Sequence, residues 1–238
     1  MACASPHQPV RADGIDARHR LLVAGLALFA ENGFDRTSVR ALARQAQVNV
    51  GAISYYFGDK EGLYRALFAE PPIGDPQQAL AFADPSLSVP EAMRRYYADF
   101  LEPLKLAGDE VRRVMKLHFR EMAEPTGAWT CALDNDIRPQ HEAMRALLVR
   151  ALGLRRADAD VERLAVAIAG LAVHVFAFRD GVQTLTPRLL ETPRAIDAMA
   201  ERLAGYAVSM VDGERARRAS ARREAARREA ARREATGR

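Results

Sequence analysis

The sequence predicts an all-α protein, with a small N-terminal helical domain followed by a larger C-terminal helical domain. Three observations predict it. Apolar residues recur at three- and four-residue steps along most of the 238-residue chain, and no stretch alternates as a strand would. Ala, Leu and Arg dominate, and all three favour helices. A Pro-, Gly-, Asp- and Ser-containing stretch from Pro71 to Pro90 interrupts the periodicity and reads as a linker between domains. Hydrophobic residues make up 49% of the chain, which supplies a substantial core and argues against wholesale disorder.

Residues 1–14 carry Pro, Ser, Gly and His without periodicity and read as a flexible arm. Arg11 within it has the chemistry to enter a minor groove, though plain disorder is the simpler reading. Ile15 to Asn32 form a first helix, because Leu21, Leu22, Gly25, Leu28 and Phe29 make one apolar stripe. Gly33 suits its C-terminal stop. Thr37 or Ser38 then caps a short helix whose Val39, Leu42, Ala43 and Ala46 share a narrow apolar face. The pattern breaks at Gln47-Val48. Asn49 is a second cap candidate, and Val50 to Tyr56 make about two turns of helix.

Packing Ala46, Val48, Ile53 and Phe57 inward fixes the two short helices against each other and leaves Val50, Gly51, Ala52, Ser54 and Tyr55 outside. That outward side is slim, as a helix must be to approach base edges in a major groove. Arg40 suits a guanine edge or a phosphate, and Tyr55, Tyr56 and Lys60 suit phosphate oxygens. Asp59 caps the next helix, where Leu63, Leu67 and Phe68 complete a small core. A helical hairpin packed into an ordinary all-α body has the same spacing, so spacing alone leaves both readings open.

Ile15 to Phe68 resembles the N-terminal domain of TetR-type transcriptional repressors. The resemblance rests on Leu22, Ala24, Leu28-Phe29, Gly33-Phe34, Thr37-Ser38-Val39, Leu42-Ala43, Ala46, Val48, Gly51, Tyr55-Tyr56-Phe57, Lys60 and Leu63. It implies a three-helix helix-turn-helix DNA-binding domain over residues 15–70, with Ser38 to Phe57 as the motif and Val50 to Tyr56 as the recognition helix. It identifies Thr37, Ser38, Arg40, Asn49, Val50, Gly51, Ala52, Ser54, Tyr55, Tyr56 and Lys60 as the DNA-binding set. The family usually has Gly where Gln47 stands, often Ser or Thr where Asn49 stands, and Tyr where Ser54 stands. Gln47 is therefore expected to carry backbone strain, and base preference does not transfer.

Net charge is +4. Glu214 to Arg238 hold ten Arg against four Glu, so the rest of the chain is slightly acidic and DNA must be met by a local patch. Cys3 and Cys131 offer no disulfide framework or zinc spacing, which fits a reducing cytoplasm. The first residues lack the apolar core of a signal peptide. The longest apolar run, Leu164 to Phe178, is too short to span a bilayer and reads as a buried helix. No nucleophile elbow, phosphate loop or paired-carboxylate motif indicates an enzyme, and nothing calls for a cofactor. His118 and Glu121, one helical turn apart, are too common a pairing to indicate a metal.

Residues 91–213 read as a helical ligand-binding and dimerisation domain. Ser88-Val89-Pro90-Glu91 fits a capping box opening a helix to Ala107. Further helices are expected over Asp109–Ala123, Thr126–Leu152 (with a break at Pro139 left open) and Asp158–Arg179, and from Thr192-Pro193 through Val211 or beyond. Leu164, Ala165, Ile168, Ala169, Leu171, Ala172, Val175 and Phe176, and then Ile196, Met199, Ala200, Leu203, Tyr206, Ala207 and Met210, make two stripes suited to burial or self-association. The resemblance favours self-association into a four-helix bundle, hence a homodimer on a palindromic operator in double-stranded DNA.

The resemblance also implies a small-molecule effector. Met115, His118, Phe119, Met122, Trp129, His141, Met144, His174, Phe176 and Phe178 are the adaptable groups available to line its site. The segment FREMAEPTGAW, Phe119 to Trp129, is similar to the C-terminal domain of a TetR subgroup associated with antibiotic and xenobiotic response. Finally, residues 214–238 contain an Ala-Arg-Arg-Glu-Ala repeat, read as a solvated, fraying helix, with a non-specific nucleic-acid grip as the sharper reading.

Overall fold

The computed structural model describes residues 12–69, 78–105, 109–127 and 137–236. Helix α1 spans Ala12–Arg36, α2 Val39–Gln45, α3 Gly51–Phe57 and α4 Lys60–Ala69. After a 3-10 helix at Gln78–Ala83 come α5 (Val89–Lys105), α6 (Asp109–Ala123), α7 (Arg138–Ala151), α8 (Ala159–Ala177) and α9 (Arg179–Leu185). A 3-10 turn at Pro187–Leu189 leads to α10 (Pro193–Thr236), and the described residues contain no strand. They fall into two compact units: those within 1–79, 102–140 and 176–178, and those within 80–101, 141–175 and 179–238. The arm with Arg11, residues 70–77 of the linker, Trp129 and both cysteines lie outside the described residues.

In the first unit, Leu21, Phe29, Leu42, Ile53, Leu63 and Phe68 form one core with Leu117 of α6. Tyr64 sits at its centre, with the rings of Phe29, Phe34 and Phe68 at 4.9, 5.0 and 5.2 Å. Its hydroxyl donates to Glu121 Oε2 at 2.9 Å. Glu121 is fully buried and also accepts from the Thr126 amide at 2.8 Å and the Thr126 hydroxyl at 3.0 Å. A carboxylate so placed is tolerated because its oxygens are hydrogen-bonded; left bare it would cost several kcal/mol. Burial, and then the bond to Glu121, push the Tyr64 phenol well above its ordinary range. Lys116 and Arg120 of α6 reach Glu31 of α1, at 2.9 Å to its carboxylate and 3.4 Å to its carbonyl. Glu121 is thus a structural tie. His118 beside it spends Nδ1–H on the Val114 carbonyl, 2.8 Å away.

The same tie bears on an element boundary. A helix was expected from Thr126, but Thr126 is engaged by Glu121 and Gly127 has φ +95°, so neither is helical; residues 128–136 lie outside the described residues, and α7 is described from Arg138.

In the second unit the capping box forms as expected, with the Ser88 amide donating to Glu91 Oε2 at 2.9 Å. The end of the expected linker is not irregular: Phe82, 1% exposed, packs edge-on against Tyr96 at 5.0 Å. The buried Tyr97 hydroxyl donates to the Ile168 carbonyl at 2.7 Å and ties α5 to α8. Helix α8 stops at Ala177 and the chain bends by 72° into α9, earlier than the sequence pattern indicated. Thr192 caps α10, accepting from the Ala195 amide at 3.1 Å. Most of the two predicted association stripes turn out to be the chain's own core: Ile168, Ala172, Ala200, Leu203 and Ala207 are all buried. The faces left outside carry Val166, Ala167 and Gly170 on α8, and Gly205, Tyr206 and Ser209 on α10.

Tyr64→Phe removes one donor from the buried carboxylate, and a loss of about 1–3 kcal/mol is expected from the denaturant midpoint. Glu121→Ala, which strands both Tyr64 and Thr126, is expected to cost at least as much. Unchanged midpoints in both would remove Glu121 from the tie.

Candidate nucleic-acid interface

The interface is built on two turns. At the first, Gly33 leaves helical geometry at φ +80° and ψ 174°, which ends the regular part of α1. Thr37 follows with its hydroxyl donating to the Gly33 carbonyl at 2.7 Å. Thr37 is 2% exposed, so its side chain positions the motif from inside. Ser38, in extended geometry, is the cap: its Oγ accepts from the Ala41 amide at 3.1 Å.

The second turn joins α2 to α3. Gln47 adopts φ +54°, the left-handed region that glycine occupies freely. The Gln47 amide donates to Arg44 O at 3.2 Å and the Val48 amide to Ala43 O at 3.0 Å. This is the Schellman arrangement, which satisfies the last carbonyls of α2 and reverses the chain. An L side chain there costs about 1 kcal/mol, so the expected strain is present. Val50 has no capping side chain; Asn49 supplies the cap instead, its Oδ1 accepting from the Gly51 amide at 2.9 Å.

Helix α3 is seven residues long and buries Ile53, at 1% exposure. Val50 and Tyr55 stand out at 44% and 68% exposed, beside exposed Gly51 and Ser54. Ala52 was placed wholly outside by the sequence, yet it is half-buried and touches the core. Tyr56 is also half-buried, with the Tyr55 ring 4.8 Å away edge-on. The far end of α3 presses on α4: an added Cβ at Gly62 would stand 1.9 Å from the Phe57 carbonyl oxygen. Asp59 caps α4, its Oδ1 accepting from the Gly62 amide at 2.6 Å. Lys60 is half-buried, donates to the Phe34 carbonyl at 3.0 Å, and holds its ammonium 4.1 Å from the Phe34 ring centroid. It therefore locks α4 to the end of α1, a role its sequence assignment to phosphate did not include.

Electrostatics favour a polyanion here. Arg36 to Lys60 hold three Arg and one Lys against one Asp. Arg40 is exposed on α2, and Arg44 is exposed one turn further along the same face. Arg44 was missed, although the four-residue spacing from Arg40 was visible in the sequence.

The predicted effector residues are not gathered in the same way. Met115, His118 and Phe119 lie half-buried on α6 in the first unit, where His118 also packs edge-on against Phe68 at 5.1 Å. His141 and Met144 lie on α7 in the second unit. Met144 is core, and His141 Nε2 is 3.2 Å from Glu162 Oε2. Phe176 is buried, while His174 and Phe178 are exposed. The Met122 side chain, like Trp129, lies outside the described residues. A polar cleft of about 470 Å³ opens in the first unit between the end of α1 and the end of α6, lined by Gly33, Arg36, Tyr64, Arg120 and Thr126 among others, and by none of the predicted effector residues.

This geometry, a capped short helix, a tight reversal and a slim exposed helix, coincides with residues 21–67, which match the profile described as bacterial regulatory proteins, tetR family. Residues 90–213 match a second profile, the C-terminal domain of the HTH-type transcriptional dual regulator CecR. The chain belongs to the TetR family.

The similarity to CecR of Shigella flexneri runs through most of this TetR-family chain: 29% identity over 186 residues, covering 74% of this chain and 81% of that protein. Solved structures agree in fold. NalD, described as the secondary repressor of the MexAB-OprM multidrug efflux pump in Pseudomonas aeruginosa, superposes with a TM-score of 0.56 at 20% identity, covering 83% of this chain and 96% of that one. SmeT in its triclosan complex gives 0.57 at 21%, covering 82% and 89%. The protein is accordingly a DNA-binding transcriptional regulator and not an enzyme.

Gln47→Gly is expected to be neutral or to stabilise by up to about 1 kcal/mol, and Gln47→Val to destabilise by about 1–2 kcal/mol, in denaturant titrations. Gly62→Ala is expected to abolish operator binding while leaving helix content by circular dichroism largely intact. Normal operator binding by Gly62→Ala would refute the α3–α4 contact as the support of α3.

Proposed function

We propose that this regulator is a homodimeric repressor that inserts α3 of each subunit into successive major grooves of a palindromic operator and is released by a small-molecule effector. One observation carries the reading: α3 is held on three sides yet presents Val50, Gly51, Ser54 and Tyr55 to solvent. Base edges would be read by this slim face together with Arg40 and Asn49. Ser38, Tyr55, Tyr56, Arg44 and the remaining ammonium protons of Lys60 would take phosphates.

The dimer is supported by the outward faces of α8 and α10, where Val166, at 63% exposed, and Tyr206, at 52%, stand among Ala167, Gly170, Gly205 and Ser209. Small residues let paired helices approach closely. A two-fold pair would present two α3 helices about one DNA turn, ~34–36 Å, apart.

Effector release would act through α6. Met115, His118 and Phe119 share that helix with Glu121, so a ligand gripping α6 bears on the tie to Tyr64 and hence on the motif core. SmeT's triclosan complex supports an effector of the small apolar kind. The reading puts the protein in the cytoplasm with its DNA; no single described helix is long and apolar enough to cross a membrane.

Selection of bound genomic fragments is expected to return an inverted repeat. On that operator, Tyr56→Phe should weaken binding to all sequences by a similar factor, whereas Ala52→Leu should change or abolish site choice. Linkage requires effector and operator to weaken each other equally, typically 5–150-fold. An effector whose affinity is the same with and without operator would contradict the release mechanism. Fragments without a shared repeat would contradict the operator reading.

A further inference from the structure

The last helix continues well past the folded body it belongs to. Ile196, Ala200, Leu203, Ala207 and Val211 anchor α10 in the core, but from Ala219 to Arg232 every residue is exposed. The helix expected for the tail is present, solvent-exposed and continuous to Thr236, about 27 Å of rod beyond Arg218. Neither family match reaches it, since the second ends at residue 213.

The root of this rod is bolted down. Arg218 grips both oxygens of Asp158 at 2.7 and 2.8 Å, and Asp158 also caps α8 through the Val161 amide at 3.1 Å. Arg217 reaches Asp160 at 2.5 Å, and Arg215 donates to the Ala151 carbonyl at the end of α7 at 3.0 Å. Glu214 bridges Arg217 and Arg218, and the Arg218 and Glu214 side chains are only 16% and 13% exposed. Hydrogen bonding to Arg218 holds the Asp158 carboxyl well below the usual carboxylate range. Beyond the root the helix sustains itself: Glu224 pairs with Arg228 one turn on, Glu229 and Arg233 have the same order, and alanines fill the gaps. The chain therefore holds a stiff, projecting helix in a fixed direction, which a merely solubilising tail does not require.

Charge says what the rod fits. Residues 219–238 hold seven Arg and three Glu, a net +4 equal to the charge of the whole chain, so the remainder is formally neutral. A five-residue repeat advances about 140° beyond a full helical turn, so the pairs Arg222-Arg223, Arg227-Arg228 and Arg232-Arg233 fall at different positions around the helix axis. A flat anionic surface would meet only part of this set. A groove with phosphates on both walls meets more of it.

We propose that the rod beyond Arg218 is a phosphate-binding arm for duplex DNA flanking the operator, adding affinity without sequence preference. The choice of DNA rests on the proposed function; the charge and rigidity of the arm do not.

The test compares the full-length chain with one in which Arg222, Arg223, Arg227, Arg228, Arg232 and Arg233 are all changed to Gln, a substitution that keeps helix propensity. Circular dichroism verifies the helix. Affinities are measured across a salt series for random-sequence duplex DNA, for the selected operator and for an RNA hairpin. The substituted chain should bind random duplex at least ~10-fold more weakly. Its plot of log affinity against log salt should be shallower by ~3–5, at about 0.9 for each phosphate no longer neutralised. Its preference for operator over random duplex of the same length should be unchanged, because the arm adds the same factor to both. Equal slopes and affinities on duplex DNA would overturn the proposal, as would a loss confined to the RNA hairpin. A full-length chain that shows the slope difference but no operator preference would sink the proposed function and leave the arm standing.

Discussion

Helix α3 is too short to exist by itself. Seven residues of isolated helix are not stable in water, so α3 is helical only because its surroundings make it so. Ile53 plugs it into the core, Gly62 lets α4 close against its far end, and the left-handed Gln47 with the Asn49 cap fixes where it begins. Burying Ile53 contributes about 2–3 kcal/mol, comparable to what any one of these local devices can add. The free face can be slim and unencumbered because the hold comes entirely from the other sides.

The same core extends to the region that matches the C-terminal profile. Leu117 and Glu121 lie on α6, inside residues 90–213, yet Leu117 belongs to the motif's hydrophobic cluster and Glu121 binds the tyrosine at its centre. The DNA-binding module is therefore not a closed object to which a sensor is attached. Part of its core is supplied by the matched C-terminal region, and a buried carboxylate with three hydrogen-bond donors is an arrangement with little tolerance for displacement. A signal that shifts α6 need not travel far.

Much of this was legible in the sequence, for physical reasons that can be named. Caps declare themselves through short polar side chains, which is why Asp59, Ser88 and Thr192 were placed correctly and Ser38 was one of two adjacent candidates. The Gln47 strain was visible because a family glycine marks a backbone angle, and the angle is there at φ +54°. Long-range pairing was not legible. Nothing local reveals that Tyr64 and Glu121, 57 positions apart, meet in the core, or that Lys60 turns back onto Phe34. Thr37 and Ser38 are equivalent as cap candidates in one dimension; only the fold decides that Thr37 faces inward. The two apolar stripes left burial and self-association open for a related reason: an apolar face must be covered, but periodicity does not say whether the chain or a second copy covers it.

The central claim is that a slim helix near residue fifty is offered to the major groove twice, one turn of duplex apart. Guanine-N7 methylation interference on the selected operator tests it most directly, because N7 lies in the major groove. Two clusters of interfering guanines on one side of the duplex, centred about 10 base pairs or a whole multiple of that apart, are the result expected. Interference in a single cluster, or none at N7 with protection confined to the minor groove, would contradict it.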